Sequence, residues 1–163
     1  MTHSDQASSG PHDEGEIVLR LLRPEELPGM LEIERQSYSY PWSEGIFLDC
    51  FKSSYRLWGA ALEGSLVGYA IVSYILDEAH LLNLCVHPRS RGLGVGKLLL
   101  RHLTTEANRE GMNQILLEVR LSNKAASKLY RNQGFEEIGR RPRYYPTPSG
   151  QEDARVMSLL LSP

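Results

Sequence analysis

Three glycines at alternate positions join an apolar run to a leucine-rich segment, and this junction constrains the fold more than any other feature of the chain. Residues 81–86 have the apolar character of a strand, and the segment from Leu98 onward has the leucine spacing of a helix. Gly92, Gly94 and Gly96 lie between them. Glycine lets the backbone approach a ligand closely, and the first amides of a helix have no partner inside it. The junction therefore predicts a strand, a loop and a helix that together bind an anion such as a pyrophosphate.

Two common phosphate-binding loops do not fit this segment. A Walker loop needs a glycine five residues before Gly96, where this chain has Arg91. It also needs a hydroxyl after Lys97, and the next residue is Leu98. A dinucleotide fingerprint needs its third glycine at the position of Lys97 or Leu99. An ordinary strand-to-helix turn remains an alternative on the loop alone, because a single glycine motif is weak evidence.

Composition and charge limit the class of protein. The 163 residues, 41% of them hydrophobic, fit one domain with one core, and no apolar run approaches the ~20 residues that cross a bilayer. A net charge of −2 gives no general attraction to nucleic acid, and we interpret the local cluster of Arg140, Arg141 and Arg143 as a solvated face. Cys50 and Cys85 have no metal-like spacing, which predicts free thiols in the reducing cytoplasm.

The order of apolar and polar segments predicts an α/β domain. Residues 1–15 are polar and predict a disordered N-terminal tail, and residues 16–163 predict a single domain. The predicted strands are residues 17–22, 55–62, 66–76, 80–86 and 115–120, and the predicted helices begin near Pro24, at Ser43, after the glycine loop, and at Ser122 or Asn123. Residues 81–119 form a strand, a crossover helix and a second strand, which predicts a parallel pair with ligand chemistry at its carboxyl ends.

The glycine loop and the segments after it resemble those of a known superfamily. Arg91 is followed three and five residues later by Gly94 and Gly96, which resembles the pyrophosphate loop of the GNAT acyl-coenzyme A transferases. Four segments after the loop resemble the second half of that superfamily's core, in the same order: residues 118–120, 122–126, 129–130 and 134–135. Its RimI branch, whose members acetylate the N-terminal alanine of the eighteenth protein of the small ribosomal subunit, is resembled by residues 40–43, 77–79, 117–120, 140–141, 144–147 and 152–154.

The resemblance implies a fold and a cofactor. The fold is the GNAT acyltransferase fold, α/β with a central mixed, mostly antiparallel sheet flanked by helices and splayed at the acetyl-CoA site. Backbone groups of the cofactor strand would contact the pantetheine arm and thioester, the glycine loop would cradle the pyrophosphate, and Asn123 would bond the pantetheine arm unless it only caps a helix. The implied cofactor-binding residues are Leu84, Cys85, Val86, Arg91, Gly92, Leu93, Gly94, Val95, Gly96, Lys97 and Asn123. No metal ligand set is recognisable, so no metal is expected.

The implied reaction needs a base and an acid. An α-amino group with a pKa near ~8 is mostly protonated at neutral pH, so a proton must be removed before it attacks a thioester. The resemblance assigns this role to Glu118, directly or through a water, and the alternative is a glutamate on the solvated side of its strand. It assigns protonation of the leaving thiolate to Tyr130, for which the alternative is a buried core tyrosine.

The implied substrate is a ribosomal protein N-terminus. For this protein, direct nucleic acid binding and membrane association are not expected, and the oligomeric state is undefined. The aromatic loop, residues 38–42, and the pair Tyr144 and Tyr145 are expected to be irregular segments that wall the peptide groove. Two alternatives remain. One is a broader GNAT acetyltransferase that acts on other peptide or small-molecule amines, and the other is a non-catalytic acyl-CoA sensing module.

Overall fold

The computed structural model describes residues 15–162, which form a seven-stranded sheet with helices on both faces. The predicted tail lies outside the described residues except for Gly15. The strands are β1 (Ile17–Leu21), β2 (Tyr55–Leu62), β3 (Ser65–Ile75), β4 (Glu78–Val86), β5 (Gln114–Arg120), β6 (Glu136–Thr147) and β7 (Gly150–Leu160). The helices are α1 (Leu27–Ser37), α2 (Glu44–Asp49), α3 (Val95–Arg109) and α4 (Lys124–Asn132), with short 3-10 turns at Pro24–Glu26 and Pro88–Ser90. Within the described range, no helix is both long and apolar enough to span a membrane.

The sheet is mixed and mostly antiparallel, as predicted. Its strand order is β1-β2-β3-β4-β5-β7-β6, and β4 and β5 form the parallel pair on either side of the crossover through α3. These two strands pair only from Glu78 opposite Gln114 to Leu81 opposite Leu117. Beyond that point β4 stays paired with β3 and β5 stays paired with β7, so the sheet opens between them. The predicted separation of two neighbouring strands is therefore present, between β4 and β5.

Alternate residues of β3 contact two hydrophobic clusters on opposite faces of the sheet. Ala70 and Val72 belong to the cluster that packs on α3, and Tyr69 and Ile71 belong to the cluster that packs on α1 and α2. The strand is therefore buried on both faces, which explains its nearly continuous apolar sequence.

The residue spacing after the glycine loop predicts that Val95, Leu98, Leu99, Leu103 and Ala107 share the buried side of α3. All of these except Leu98 are buried. Leu98 is exposed, and Leu100 is buried instead. The reason is geometric, because a rotation of about 100° per residue places Leu98 away from the centre of the buried stripe.

The segment after α4 contains two strands that the sequence pattern did not predict. β6 and β7 form a long antiparallel hairpin, so the expectation that Tyr144 and Tyr145 lie in an irregular segment is wrong. The pairing of β6 with β7 is nevertheless broken between Arg141 and Tyr145, where Arg143 has a φ of 54°. This bulge changes the direction of the side chains on either side of it.

Candidate active site

The opening between β4 and β5 leads into a cavity of about 780 Å³. Four of the predicted site residues line it, Leu84, Glu118, Asn123 and Tyr130. The remaining walls come from the aromatic loop, from the start of α4 and from the turn between β6 and β7. The cavity therefore lies at the carboxyl ends of the parallel pair, where the topology predicted ligand chemistry.

The separated segment of β4, residues 82–86, presents backbone rather than side-chain chemistry. Leu84 and Val86 are half-buried, whereas Cys85 is buried in the cluster beneath α1. Burial raises the pKa of the Cys85 thiol, so the thiol stays neutral. The Tyr38 hydroxyl of the aromatic loop donates a hydrogen bond of 3.0 Å to the Leu84 carbonyl.

The glycine loop has the conformation that an anion cradle requires. Gly92 and Gly94 have φ values of 82° and 81°, a region that favours glycine. A Cβ atom added at either residue would meet nothing within 4 Å, so the space in front of the loop is open. Arg91 and Lys97 are exposed at its two ends.

The first turn of α3 completes this cradle. The buried Val95 fixes the start of the helix, which follows Gly94 directly. The Leu98 amide donates to the Gly94 carbonyl at 3.0 Å, whereas the three helical amides before it have no partner within the helix. Amides in this position bind phosphate oxygens readily.

Glu118 lies on β5 and points into the cavity, with its side chain 26% exposed. The Nε of Arg141 on β6 forms an ion pair with its carboxylate. Arg141 is exposed, as expected of a solvated face, with its side chain 60% accessible, but the ion pair with Glu118 was not predicted. Partial burial, and after it the negative charge of Glu118, raise the pKa of the neighbouring Tyr144.

Tyr130 on α4 is both a core residue and a cavity residue. It is 7% exposed, and its ring packs 5.7 Å from that of Phe135. Burial, with a smaller effect from Tyr145, raises the pKa of its hydroxyl above the ordinary value. The hydroxyl therefore keeps its proton at neutral pH, as a donor must.

Asn123 has the position of a helix cap. Its side-chain oxygen accepts a hydrogen bond of 3.1 Å from the Ala126 amide at the start of α4. Asn123 therefore caps α4, and its contact with a pantetheine arm stays a prediction.

Glu34 is a buried carboxylate that the sequence analysis did not select. It lies on α1, lines the cavity and is 1% exposed. Its donors are the Tyr69 hydroxyl at 2.5 Å, the Asn83 amide nitrogen at 2.9 Å and the Trp42 backbone amide at 2.8 Å. The available signals were a glutamate between the apolar residues of α1 and an asparagine in the apolar β4.

Arg120 joins two walls of the cavity and was also missed. It donates a hydrogen bond of 2.8 Å to the Pro146 carbonyl, and its guanidinium lies 4.6 Å from the ring centre of Tyr145. It also lies 5.7 Å from the ring centre of Tyr40 in the aromatic loop. Trp42 lines the cavity as expected, but on the opposite wall the lining residue is Tyr145 rather than Tyr144.

No group of three or more metal-binding side chains occurs among residues 15–162. The arrangement instead combines a splayed strand, an anion cradle, a carboxylate and a protonated tyrosine. Such a set of groups can bind an extended phosphorylated ligand and move protons beside it.

Comparisons with known proteins identify proteins of similar sequence. The [Ribosomal protein bS18]-alanine N-acetyltransferase of Escherichia coli (strain K12) is 39% identical over 141 residues, which cover 86% of this chain and 95% of that protein. The protein of the same name from Salmonella typhimurium is 38% identical and covers 89% of this chain and 98% of its own length.

Solved structures have the same architecture. The crystal structure of the ribosomal-protein-S18-alanine N-acetyltransferase from Escherichia coli matches with a TM-score of 0.88 and 37% identity, over 91% of this chain and 96% of that chain. The PaiA N-acetyltransferase from Thermoplasma acidophilum in complex with coenzyme A shares the fold, with a TM-score of 0.74 over 89% of this chain and 99% of that chain, at 21% identity. The sequence profile described as the Acetyltransferase (GNAT) family matches residues 27–135, and the chain belongs to that family.

Proposed function

We propose that this protein transfers the acetyl group of acetyl-coenzyme A to the N-terminal α-amine of a protein, most specifically to the N-terminal alanine of ribosomal protein bS18. The observation on which this rests is the cavity where the splayed β4, Glu118 and Tyr130 meet. The two bacterial relatives at 38% and 39% identity, which are named for this activity, support the choice of substrate. The proposal places the reaction in the cytoplasm, which suits two free cysteines.

The residues present fit acetyl-coenzyme A. The open left-handed glycines and the free amides at the start of α3 suit its pyrophosphate, with Arg91 and Lys97 adding positive charge. The backbone of Leu84, Cys85 and Val86 is separated from β5 and suits its pantetheine arm, toward which Asn123 adds a side-chain amide. When bound, this donor supplies an activated acyl carbon and a thiol leaving group.

Glu118 is the proposed proton acceptor. Its carboxylate lines the same cavity as the open end of β4, where the proposed amine would lose a proton to it, directly or through a water. Arg141 balances the charge of this carboxylate in the free protein, and the ion pair loosens as the amine approaches.

Tyr130 is the proposed proton donor on the leaving side. Burial raises the pKa of its hydroxyl, which is therefore protonated at neutral pH and available to donate to the departing thiolate. Trp42 and Tyr145 form the two walls between which the peptide enters, and Arg120 joins those walls through Tyr40 and Tyr145.

The test is intact-mass and fragment analysis of a peptide copied from the N-terminus of bS18 after incubation with acetyl-coenzyme A. The comparison peptide has a blocked N-terminus and an internal lysine. One acetyl group on the free α-amine, together with its loss in the Glu118→Gln variant, is the expected result. The Glu152→Gln variant, which changes another carboxylate of the cavity, is the matched control and keeps measurable activity.

Other outcomes separate the alternatives. Acetylation of polyamines or aminoglycosides in preference to the peptide would identify the broader amine acetyltransferase. Binding of acetyl-coenzyme A without amine-dependent thiol release would identify the sensing module and would contradict the proposal.

A further inference from the structure

A buried carboxylate lies beneath the aromatic loop and takes no part in the proposed proton transfers. Glu34 is 1% exposed, and burial of a carboxylate is strongly unfavourable unless donors replace the water that it loses. Its three donors are all neutral groups, so they satisfy its oxygens without adding an opposite charge. An apolar residue at this position in α1 would avoid that cost, which indicates that the carboxylate has a specific task.

The two oxygens of Glu34 divide their partners by location. One accepts from Tyr69 on β3 at 2.5 Å and from Asn83 on β4 at 2.9 Å. The other accepts from the backbone amide of Trp42 at 2.8 Å. The side chain therefore ties the end of the aromatic loop to two strands of the sheet.

The hydrogen bonds of Glu34 extend to the part of β4 where the sheet is open. Leu81 is the last residue of β4 that pairs with β5, and Asn83 lies two residues beyond it. The next residue, Leu84, accepts the hydrogen bond of 3.0 Å from Tyr38. The aromatic loop is thus fixed to the separated segment of β4 at both of its ends, through Tyr38 and through Trp42.

We propose that Glu34 is a positioning residue that sets the distance between the aromatic loop and the separated segment of β4. This inference rests on the proposed function, in which the loop guides the peptide and β4 holds the thioester. A carboxylate suits the task because both of its oxygens accept hydrogen bonds. A glutamine has one acceptor oxygen and one NH₂ group, so at least one of the present donors would face another donor.

The test compares Glu34→Gln with Tyr69→Phe. The first variant has nearly the same volume and disturbs the link between loop and strand. The second removes a donor from the same carboxylate but leaves both Trp42 and Asn83 in place, so it is the matched control. Because an unsatisfied buried group commonly weakens an interaction by about tenfold or more, we expect Glu34→Gln to raise the peptide KM about tenfold. The KM for acetyl-coenzyme A should change less than about twofold, and Tyr69→Phe should leave both KM values within about twofold.

A second substitution tests the geometry by reversing one hydrogen bond. In the double variant Glu34→Gln with Asn83→Asp, the new amide at position 34 can donate to the carboxylate introduced at position 83, while its oxygen accepts from Trp42. We expect the peptide KM to return to within about threefold of the original value. Such a rescue would show that the hydrogen bond between positions 34 and 83, and not the charge at position 34, determines the peptide KM.

The position of the loop also has a readout that needs no activity. The chain contains two tryptophans, Trp42 and Trp58, so a Trp58→Phe background makes Trp42 the sole tryptophan reporter. We expect Glu34→Gln to shift the Trp42 emission to longer wavelength and Tyr69→Phe to leave it in place. An unchanged emission, or equal losses for peptide and acetyl-coenzyme A in both variants, would overturn the positioning role. If no α-amine is acetylated, the proposed function fails, and the emission still decides whether Glu34 holds the loop.

Discussion

Glu118 is paired with Arg141 in the free protein, although the proposed reaction requires its carboxylate to meet an amine. The two side chains are 26% and 60% exposed, and ion pairs in such surroundings contribute only about 0–1 kcal/mol. An incoming amine can therefore displace the arginine at small cost. In the proposed reaction, Arg141 and the amine therefore compete for the same carboxylate.

Removing Arg141 should favour the peptide. We expect Arg141→Gln to lower the peptide KM by up to about fivefold, because the free protein loses a pair worth up to about 1 kcal/mol. Arg140→Gln is the control, since Arg140 pairs with Glu137 instead, and it should leave the KM unchanged. A raised peptide KM in Arg141→Gln, measured by steady-state kinetics, would mean that Arg141 binds the peptide directly.

Removing the Tyr130 hydroxyl should affect turnover alone. Because positioned proton transfer contributes about 10²–10⁴-fold, we expect Tyr130→Phe to lower kcat at least about tenfold. The affinity for acetyl-coenzyme A, measured by calorimetry, should change little because the ring still packs against Phe135. Tyr74→Phe removes another hydroxyl, one that lies outside the cavity lining, and should keep full turnover. Unchanged kcat in Tyr130→Phe would contradict the role of proton donor.

Sequence reasoning at this scale selected the residues that a motif names. Glu118, Asn123, Tyr130 and Leu84 were expected in one site, and all four line one cavity, whereas their roles there stay predictions. Glu34 was missed because its partners Tyr69 and Asn83 are 35 and 49 residues away, and only the folded sheet brings them to α1. Local pattern contains no information on such contacts.

At the scale of elements, the glycine loop and the hairpin of β2 and β3 offer a direct comparison. Gly94 directly precedes α3 and Gly64 lies in the turn of the hairpin, and both have a φ of 81°. A Cβ at either residue would meet nothing within 4 Å. The conformational cost of a side chain is therefore similar at the two positions, and only the proposed binding of a pyrophosphate would distinguish them.

Alanine at either glycine should cost similar stability, about 1–2 kcal/mol, because the left-handed conformation is unfavourable for it. That corresponds to a fall in Tm of roughly 2–8 °C for a domain of this size. Only Gly94→Ala should also weaken the binding of acetyl-coenzyme A, because its methyl group enters the anion cradle. Calorimetric titration of both variants checks this, and equal affinities would show that the pyrophosphate does not approach Gly94.

The elements that sequence could predict are those with a buried face. The predicted β2 matches the structure, and β1, β3, β4 and β5 match within two residues at each end, because apolar residues mark them clearly. The hairpin of β6 and β7 was missed because most of β6 is exposed, and its prolines resemble loop residues. An edge strand held by its partner alone has little hydrophobic pattern to detect.

For the whole molecule, the resemblance predicted a mixed sheet and the crossover between β4 and β5 predicted its parallel pair, but neither predicted the position of β7 inside it. The buried tyrosines give a second property of the whole fold, its response to alkali. Burial is the largest cause that raises the pKa of Tyr69 and Tyr130, and of Tyr74 and Tyr145 to about 12. These hydroxyls keep their protons in the folded state, whereas in the unfolded chain they ionise near the ordinary value of 10.0.

Stability should therefore fall in alkaline solution. The unfolded state releases protons above pH about 10 that the folded state retains, so the contribution of these groups is complete below that pH. This contribution is lost as the pH rises toward the pKa values of the folded state, about 12 for Tyr74 and Tyr145. We expect the urea midpoint to be nearly level from pH 8 to about 9.5 and to fall above it. The urea midpoint of the Tyr74→Phe variant should fall less steeply with pH. A midpoint of the unchanged protein that stays level up to pH about 11.5 would contradict the prediction.

β7 is the last of the seven strands in chain order, yet it lies between β5 and β6. During synthesis, both of those strands leave the ribosome before the strand that separates them, so their edges stay open until residues 150–160 follow. A nascent chain stalled after β6 would therefore expose the very strand that carries Glu118, without its partner Val156. The half of the sheet that contains β5 and β6 can close only when β7 enters between them, so the edge of β5 is exposed to aggregation until β7 has been synthesised.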